Sequence, residues 1–244
     1  MKKILLICVN YKSDDMLQKF VESIHRAETA VKEHLQIDIQ VADNSENNVG
    51  YMGGALEIYN KQASDYDFVS ISNVDLTLTS DFFEKLLAIN TQHIGWIAPD
   101  IYTQKIDRHE NPYFLSRPTK CHFIIWDIIY SCTIIYRIYH SLHLLKNRKK
   151  TIYPTCYIYA GHGSFMLFTK AFVQQNPELH FPGFMYGEEI FMAELVRAAQ
   201  LKVIYTPTLQ IHNIGNINTS LINQAQKSKW SKNSLRAIYK QFFK

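Results

Sequence analysis

The sequence has 244 residues, of which 47% are hydrophobic and 20% charged, and its formal net charge is +4. This composition excludes a disordered chain and a repeat array, and the length is enough for one large domain or two small ones. The weak positive charge gives no indication of a nucleic-acid partner. The four cysteines have neither C-x-x-C nor zinc-type spacing, so we expect free thiols in a reducing, cytoplasmic compartment.

The first hundred residues alternate between strand-like and helical patterns. Strands are predicted for ILLICVN, IDIQVADN, DFVSISNVD and HIGWIAPD. Helices are predicted from about residue 14 to 34, from GGALEIYNKQA onward, and over SDFFEKLLAIN with Ser80 as the cap. Because alternating strands and helices form right-handed crossovers, this order predicts an α/β fold in which helices cover a parallel sheet.

Polar side chains end three of these predicted strands. Asn10 and Tyr11 follow the first strand, Asp43 ends the second, and Asn73 and Asp75 end the third. Each residue alone is an ordinary turn or cap residue. Ligands of such sheets bind beyond the carboxyl ends of the strands, so the set together indicates a binding site.

A glycine-rich turn, NVGYMGGA, lies between the second strand and its following helix. Its residues Asn48, Gly50, Gly53 and Gly54 allow close backbone approach at a helix amino terminus, which suits a phosphate or a ribose. The turn matches neither G-x-G-x-x-G nor a sequence ending in GK[ST]. Rossmann dinucleotide binding and P-loop chemistry are therefore both disfavoured.

The middle segment, 121–150, departs from this order because it is apolar and aromatic over most of its length. One interpretation is a core helix or hairpin of an inserted subdomain. The other is an interfacial segment that docks on anionic headgroups through Lys146, Arg148, Lys149 and Lys150. The basic run is contiguous with the apolar one, which slightly favours the membrane interpretation. No stretch reaches the roughly 18 uninterrupted apolar residues of a spanning helix.

The second half of the chain contains two adjacent carboxylates at a predicted helix start, Glu188 and Glu189. Before them lie a predicted strand, YIYAGHGSFMLFTK, and a short helix; after them come a strand, KVIYTP, and a basic amphipathic helix. Two carboxylates at this position are explained by a favourable helix terminus alone. They are equally explained by a general base whose anion the helix dipole stabilises.

These elements and motifs together resemble the family 2 glycosyltransferases of the GT-A fold, in particular the rhamnosyltransferase-like enzymes of bacterial surface polysaccharide assembly. The resemblance covers about residues 3–215 and rests on CVNYKS, VADNSENNVGYMGG, SNVDLTL, GHGSFMLFTKAF, and FMYGEEIFMAELVRAAQLKVIYTP with IHNIG. It implies one GT-A domain with a Rossmann-like, mixed but mainly parallel sheet flanked by helices. The expected parts are a nucleotide-sugar half (1–100), an inserted segment (101–150), a catalytic half (151–215) and a basic helix (216–244).

The resemblance also implies roles for individual residues. Asn73-Val74-Asp75 stands where the family has its D-x-D metal motif, so Asp75 and, after the last strand, His212 are expected to bind Mg²⁺ or Mn²⁺. The expected nucleotide-sugar contacts are Asn10, Tyr11, Asp43, Asn48, Gly50, Gly53, Gly54 and Asn73.

The catalytic pair of the family is matched by Glu188 and Glu189, of which Glu189 is the expected base. The sequence departs from the family pattern at two points: Val74 replaces the usual proline, and Glu189 replaces an aspartate.

The resulting hypothesis is an inverting, metal-dependent hexosyltransferase that uses a nucleoside-diphosphate sugar. A lipid-linked or oligosaccharide acceptor is expected, with the protein cytoplasmic or peripheral on the inner face of the membrane. One alternative is a non-catalytic, membrane-associated relative that binds nucleotide or glycan. The other is a sugar nucleotidyltransferase, which would require a basic glycine-rich signature that CVNYKSDD lacks.

Overall fold

A computed structural model describes residues 1–132, 134–139, 152–214 and 223–244. The strands are β1 Lys2–Asn10, β2 Leu35–Asp43, β3 Phe68–Asn73, β4 Leu76–Leu78, β5 Ile94–Thr103, β6 Arg108–His109, β7 Cys156–Ile158, β8 Phe165–Thr169 and β9 Lys202–Asn213. The helices are α1 Asp14–Glu28, α2 Tyr51–Gln62, α3 Phe82–Leu87, α4 Lys120–Ser131, α5 Lys170–Gln175, α6 Glu188–Ala198 and α7 Gln224–Phe242, and 134–139 is also helical.

The strands form one mixed sheet in the order β2-β1-β3-β8-β5-β9-β4, with β6 added beside β5 and β7 beside β9. The parallel pairs β1/β2, β1/β3 and β5/β9 are the longest, so the sheet is mainly parallel, and the predicted fold class is confirmed. Strand β8 runs antiparallel to β3, and Phe165 pairs with Ser72. The loop that enters β8 therefore arrives at the edge where β1 and β3 end.

Helices cover both faces of this sheet, as the continuous apolar run of β1 requires. Leu6 belongs to a buried cluster with Phe20 of α1 and Phe82 of α3. The next residue, Ile7, points to the opposite face and a second cluster, which includes residues of α2, α5, α6 and α7. The central strands are thus buried on both sides, and polar groups are left at the strand ends.

Three boundaries differ from the sequence predictions. Helix α1 ends at Glu28, before the predicted residue 34. Helix α3 is capped by Asp81 instead of Ser80, and the Lys85 amide donates to the Asp81 carbonyl. The predicted strand YIYAGHGSFMLFTK is two strands, because β7 pairs with β9 whereas β8 lies between β3 and β5.

The apolar middle segment begins as helix α4, which packs against α7 on one side. Phe123 and Ile129 are its buried residues, and the Phe123 and Phe243 rings lie 4.4 Å apart between centroids. Ile124 and Ile128 are more than half exposed. The predicted basic cluster at 146–150 lies outside the described residues. No helix in the described ranges is both long and apolar enough to span a bilayer.

A buried carboxylate joins α6 to the chain before α4. Glu194 is fully buried and accepts hydrogen bonds from Arg117 Nε at 2.7 Å, Arg197 Nη2 at 2.9 Å and the Tyr159 hydroxyl at 2.9 Å. Burial alone would raise the pKa of Glu194, but the bonds from Arg117, Arg197 and Tyr159 hold it below its ordinary value. Arg117 also donates to the Phe242 carbonyl, so the same group fixes the end of α7.

We expect Glu194→Ala to lower the free energy of unfolding by roughly 3 kcal/mol, because it breaks a buried ion pair and opens a cavity. The matched control is Glu57→Ala, whose ion pair with Lys61 is exposed on both sides and is worth at most about 1 kcal/mol. Urea denaturation of the two variants measures the difference. Equal losses would show that the Glu194 network does not stabilise the fold.

Candidate active site

The parallel pairing of β1 and β2 brings Asn10 opposite Asp43 at the carboxyl edge of the sheet. The Asn10 amide donates to Asp14 Oδ1 at 2.7 Å and to Asp43 Oδ1 at 3.4 Å. Ser45 donates to the Asp43 carboxylate through its hydroxyl at 2.6 Å and its backbone amide at 3.0 Å. These bonds, with that from Asn10, hold the pKa of Asp43 below its usual value. The edge therefore presents the exposed, ionised carboxylate of Asp43, and the half-exposed Tyr11 ring follows Asn10.

The glycine-rich turn is held against this edge by a residue that the predicted set omitted, Asn44. Its buried side chain donates to the Gly50 carbonyl at 3.0 Å, and the Gly50 amide donates to Asn48 Oδ1 at 3.0 Å. Gly50 has a φ of 85°, and a Cβ there would lie 2.1 Å from the Phe184 carbonyl oxygen. Only glycine fits both constraints. Gly53 and Gly54 follow in the first turn of α2.

The predicted metal motif lies where β3 ends and the chain turns into β4. The Asn73 amide donates to the Ser164 carbonyl at 2.8 Å, which joins the motif to the loop entering β8. The Asp75 carbonyl accepts from the Ile214 amide at 3.0 Å, which joins it to the end of β9. The Asp75 side chain is half-buried, and this burial raises the pKa of its carboxyl.

His212 lies in β9, where it is paired with Thr77 of β4 and Tyr102 of β5. Its exposed ring contacts the Tyr102 ring edge to face, with 6.3 Å between centroids. Within the described ranges, no three or more His, Cys, Asp and Glu side chains are grouped so that they could hold a metal ion. Among the described residues, Asp75 therefore supplies one carboxylate at this point and not a complete set of metal ligands.

A single carboxylate of this kind is compatible with Mg²⁺ or Mn²⁺. Mg²⁺ keeps several waters and is commonly bound by one or two carboxylates together with substrate phosphates. Asp75 forms no ion pair with any described lysine, arginine or histidine, so its charge is available to a cation. The residues present thus fit a site that a diphosphate would complete.

The paired carboxylates begin α6, directly after Gly187. Gly187 has a φ of 89°, which turns the incoming chain into the helix. Glu188 is buried, and its Oε2 has no hydrogen-bond partner among the described residues. Glu189 is half-buried, and its Oε1 accepts from the Gly163 amide at 3.3 Å.

Burial raises the pKa of both carboxyls, but to different extents. For Glu188 burial and the neighbouring Glu189 charge raise the pKa to about 8. For Glu189 burial raises the pKa to about 6, and the Gly163 amide opposes the shift. Burial and mutual repulsion thus lead the pair to share a proton near neutral pH. The Gly163 amide holds Glu189 Oε1, whereas Glu188 Oε2 has no hydrogen-bond partner among the described residues, so Glu189 is the better oriented of the two to accept a proton.

Tyr51 connects the carboxylate pair to the metal motif. Its hydroxyl donates to the Gly163 carbonyl at 2.8 Å, and Gly163 in turn donates to Glu189. Burial and the charges of Glu188, Glu189 and Asp75 raise the pKa of Tyr51 well above its ordinary value. The charges of the carboxylate pair and of Asp75 all act on this one phenol, so the pair and the predicted metal motif belong to the same site.

Two further side chains that the sequence reasoning did not single out adjoin this site. The negative charge of Glu189, followed by burial, raises the pKa of Tyr113. The Tyr113 ring contacts the His162 ring edge to face at 5.1 Å between centroids, and His162 Nδ1 lies 2.9 Å from the Ser164 hydroxyl. His162 belongs to the motif GHGSF, but nothing in the sequence indicated that Tyr113 would lie beside it.

No protein-family model matches the sequence, and no curated protein matches it either. Solved structures do match. The catalytic domain of Drosophila beta1,4-galactosyltransferase 7, solved with xylobiose, has a TM-score of 0.55 at 14% identity, over 94% of this chain and 80% of that one. Residues 1–349 of S. aureus TarS, solved with UDP-GlcNAc, have a TM-score of 0.54 at 10% identity, over 91% of this chain and 61% of that one.

A third match is GalNAc-T7, solved with UDP, GalNAc and Mn²⁺, with a TM-score of 0.57 at 10% identity, over 98% of this chain and 48% of that one. These glycosyltransferases share one architecture with the present sheet and its helices. The chain has the GT-A fold. At these identities the likeness is one of fold, and the closer resemblance to family 2 stays a prediction.

The raised pKa values of the carboxylate pair predict how stability depends on pH. Both groups bind protons more tightly folded than unfolded, so the free energy of unfolding should fall as pH rises from about 4.5 to about 8. Glu188→Gln removes the group that contributes more to this pH dependence. The free energy of unfolding of this variant should therefore fall less between pH 4.5 and about 8, and should exceed that of the wild type at pH 8. Urea denaturation at several pH values measures both curves, and parallel curves would contradict the raised pKa of Glu188.

Proposed function

We propose that the protein is an inverting, divalent-metal-dependent glycosyltransferase that uses a nucleoside-diphosphate sugar. The observation that carries this proposal is the Gly163–Ser164 loop, whose hydrogen bonds join Asn73, two residues before Asp75, to Tyr51 and Glu189 at the carboxyl edge of a GT-A sheet. This arrangement combines a carboxylate suited to a metal–diphosphate with a second carboxylate suited to proton abstraction. Structures of the same fold solved with UDP-GlcNAc, or with UDP and Mn²⁺, support the choice of donor and metal.

The donor would lie across the ends of β1, β2 and β3. Asp43, fixed by Ser45 and Asn10, is an exposed acceptor for hydroxyl or N–H groups of a nucleoside. The amino terminus of α2, which follows Gly50, favours negative charge and supplies free N–H donors, and both properties suit a phosphate. Asp75 would hold Mg²⁺ or Mn²⁺, which when bound supplies positive charge to the diphosphate leaving group.

The acceptor would approach the site from the side of Glu189. In direct displacement, the acceptor oxygen forms a bond to the anomeric carbon while the bond from that carbon to the diphosphate oxygen breaks. The acceptor's proton passes to the Glu189 carboxylate, and the nucleoside diphosphate leaves with the electron pair. The Gly163 amide holds Glu189 Oε1, so the carboxylate is oriented before the acceptor arrives.

The acceptor itself is proposed to be an oligosaccharide or a lipid-linked glycan of surface polysaccharide assembly. The resemblance to rhamnosyltransferase-like enzymes suggests this class, and the Drosophila structure of the same fold, solved with xylobiose, supports a glycan acceptor. The Tyr113 ring, next to Glu189 and partly exposed, offers an apolar face on which a sugar ring could stack. The reaction is proposed to take place in the cytoplasm, at the inner face of the membrane.

Asp75 is expected to be required for metal-dependent donor binding. A panel of nucleoside-diphosphate sugars should raise the midpoint of thermal unfolding in the wild type when Mn²⁺ or Mg²⁺ is present, because bound ligand stabilises the folded state. Asp75→Ala should lose the metal-dependent part of this shift and keep its fold. His212→Ala, tested in parallel, should weaken metal binding if His212 is a second ligand and leave it unchanged if the ring only packs on Tyr102.

Retention of the full metal-dependent shift by Asp75→Ala would overturn the role of Asp75. Donor hydrolysis by the wild type separates an enzyme from a binding protein, since a non-catalytic relative would bind a nucleotide sugar and release no free sugar.

Glu189→Gln keeps the shape of the side chain and removes the proton acceptor, so turnover should fall by roughly 10²- to 10⁴-fold. Donor affinity should change little, because the base contacts the acceptor. The wild-type rate should rise with pH as Glu189 loses its proton near its pKa of about 6.

Glu188→Gln serves as the matched control, with a smaller loss of rate. If Glu188→Gln is the inactive variant and Glu189→Gln is active, the two roles are reversed. If both retain full turnover, the pair is only a helix terminus.

A further inference from the structure

Large apolar side chains are exposed on α4 and on the helical residues 134–139. Six isoleucines between residues 124 and 138 are exposed by 42% to 68%: Ile124, Ile125, Ile128, Ile134, Ile135 and Ile138. Single exposed apolar residues are common on soluble proteins, but a series of large aliphatic side chains in one short segment marks a contact surface.

A groove of about 540 Å³ lies between α4 and α7, and Ile124 and Ile128 of this series line it. Phe123, Ile124, Ile128, Leu235 and Tyr239 supply its apolar lining. Its basic lining comes from α7, where Lys232, Arg236 and Lys240 recur every four residues and therefore share one face of the helix, and Lys244 follows.

The single acidic residue in the groove lining is neutralised. Asp127 forms an ion pair with Arg236, in which Arg236 Nη2 donates to Oδ2 at 2.9 Å. Lys232, Lys240 and Lys244 form no ion pair with any described carboxylate. Ile124 and Ile128 thus line the same groove as three lysines that have no described ion-pair partner.

We propose that this docking face, the six exposed isoleucines with Lys232, Lys240 and Lys244, binds the surface of an anionic phospholipid bilayer. Aliphatic side chains flanked by lysines have the composition of an interfacial helix, whose apolar side enters the headgroup boundary while its cations meet lipid phosphates. Protein interfaces are depleted in lysine, whereas lysines supply three of the four basic residues that line this groove. The chemistry therefore favours lipid over a protein partner.

The docking face adjoins the candidate active site. Tyr130 lines the groove, and its backbone carbonyl accepts from the Ser228 hydroxyl of α7 at 2.9 Å. Burial, neighbouring tyrosines and the charge of Glu189 raise the pKa of Tyr130, so this groove residue lies within electrostatic range of the carboxylate pair. If the proposed function holds, a membrane-bound acceptor would reach Glu189 from this side, but the docking itself does not depend on that function.

Vesicle sedimentation of the full chain tests the docking face. The protein should bind phosphatidylcholine vesicles that contain phosphatidylglycerol, bind neutral vesicles much more weakly, and dissociate at high salt. The triple change K232Q/K240Q/K244Q should weaken binding about a hundredfold, since each lysine near an anionic surface is worth about a factor of five. The matched control K19Q/K32Q/K105Q removes the same charge from exposed positions elsewhere and should bind more tightly than the α7 variant.

The apolar half of the face is tested by I124S/I128S, which should also weaken vesicle binding, with circular dichroism confirming that each variant is folded. Equal binding by the α7 triple variant and its control would overturn the proposal. A second result would also overturn it: light scattering shows a wild-type dimer, and I124S/I128S dissociates this dimer without any change in vesicle binding. The face would then be occupied by a second copy of the chain.

Discussion

The hydrogen bonds made by Gly163 are the constraint on which the candidate site depends. Its carbonyl accepts from the Tyr51 hydroxyl at the start of α2, and its amide donates to Glu189 at the start of α6. The adjacent Ser164 carbonyl accepts from Asn73 at the end of β3. Because β8 runs antiparallel to β3, the loop before β8 is delivered to this edge by the sheet itself. One short loop thus aligns the end of β3 and the starts of α2 and α6, and a shift in its backbone would misplace all three.

Helix α6 shows how environment alone separates the roles of three glutamates. Glu194 is fully buried and is satisfied by two arginines and a tyrosine, which hold its pKa below the ordinary value, so it stabilises the fold as an anion. Glu188 and Glu189, less than two turns earlier, have no such cations, and burial raises their pKa values. Burying carboxyls in this way costs stability at neutral pH. Strain of this kind is characteristic of functional sites, where a proton must move at physiological pH.

Much of the fold could be predicted from the sequence, because apolar periodicity and turn residues are local signals. They placed Asn10 and Asp43 on neighbouring strand ends, and the parallel register pairs these residues. What the sequence could not indicate is contact between distant segments. Tyr51 looks like any residue of a glycine-rich turn until the β8 loop is placed against it. Asn44 is visible in the sequence as one of the polar residues that end the second strand, but its buried hydrogen bond to Gly50 is not. The interpretation of segment 121–150 was ambiguous for the same reason, because the sequence of an apolar helix does not indicate which of its sides packs against α7.

The electrostatics of the site argue for a cation there. Asp75, Glu188 and Glu189 all act on the Tyr51 phenol, and no described lysine or arginine forms an ion pair with any of them. A diphosphate brought to this site would meet negative charge in a partly buried setting, where repulsion is weakly screened. A proton shared by Glu188 and Glu189 would remove only part of that charge. A divalent cation held by Asp75 would compensate more of it, and the Glu189 carboxylate, held by the Gly163 amide, would remain as a proton acceptor.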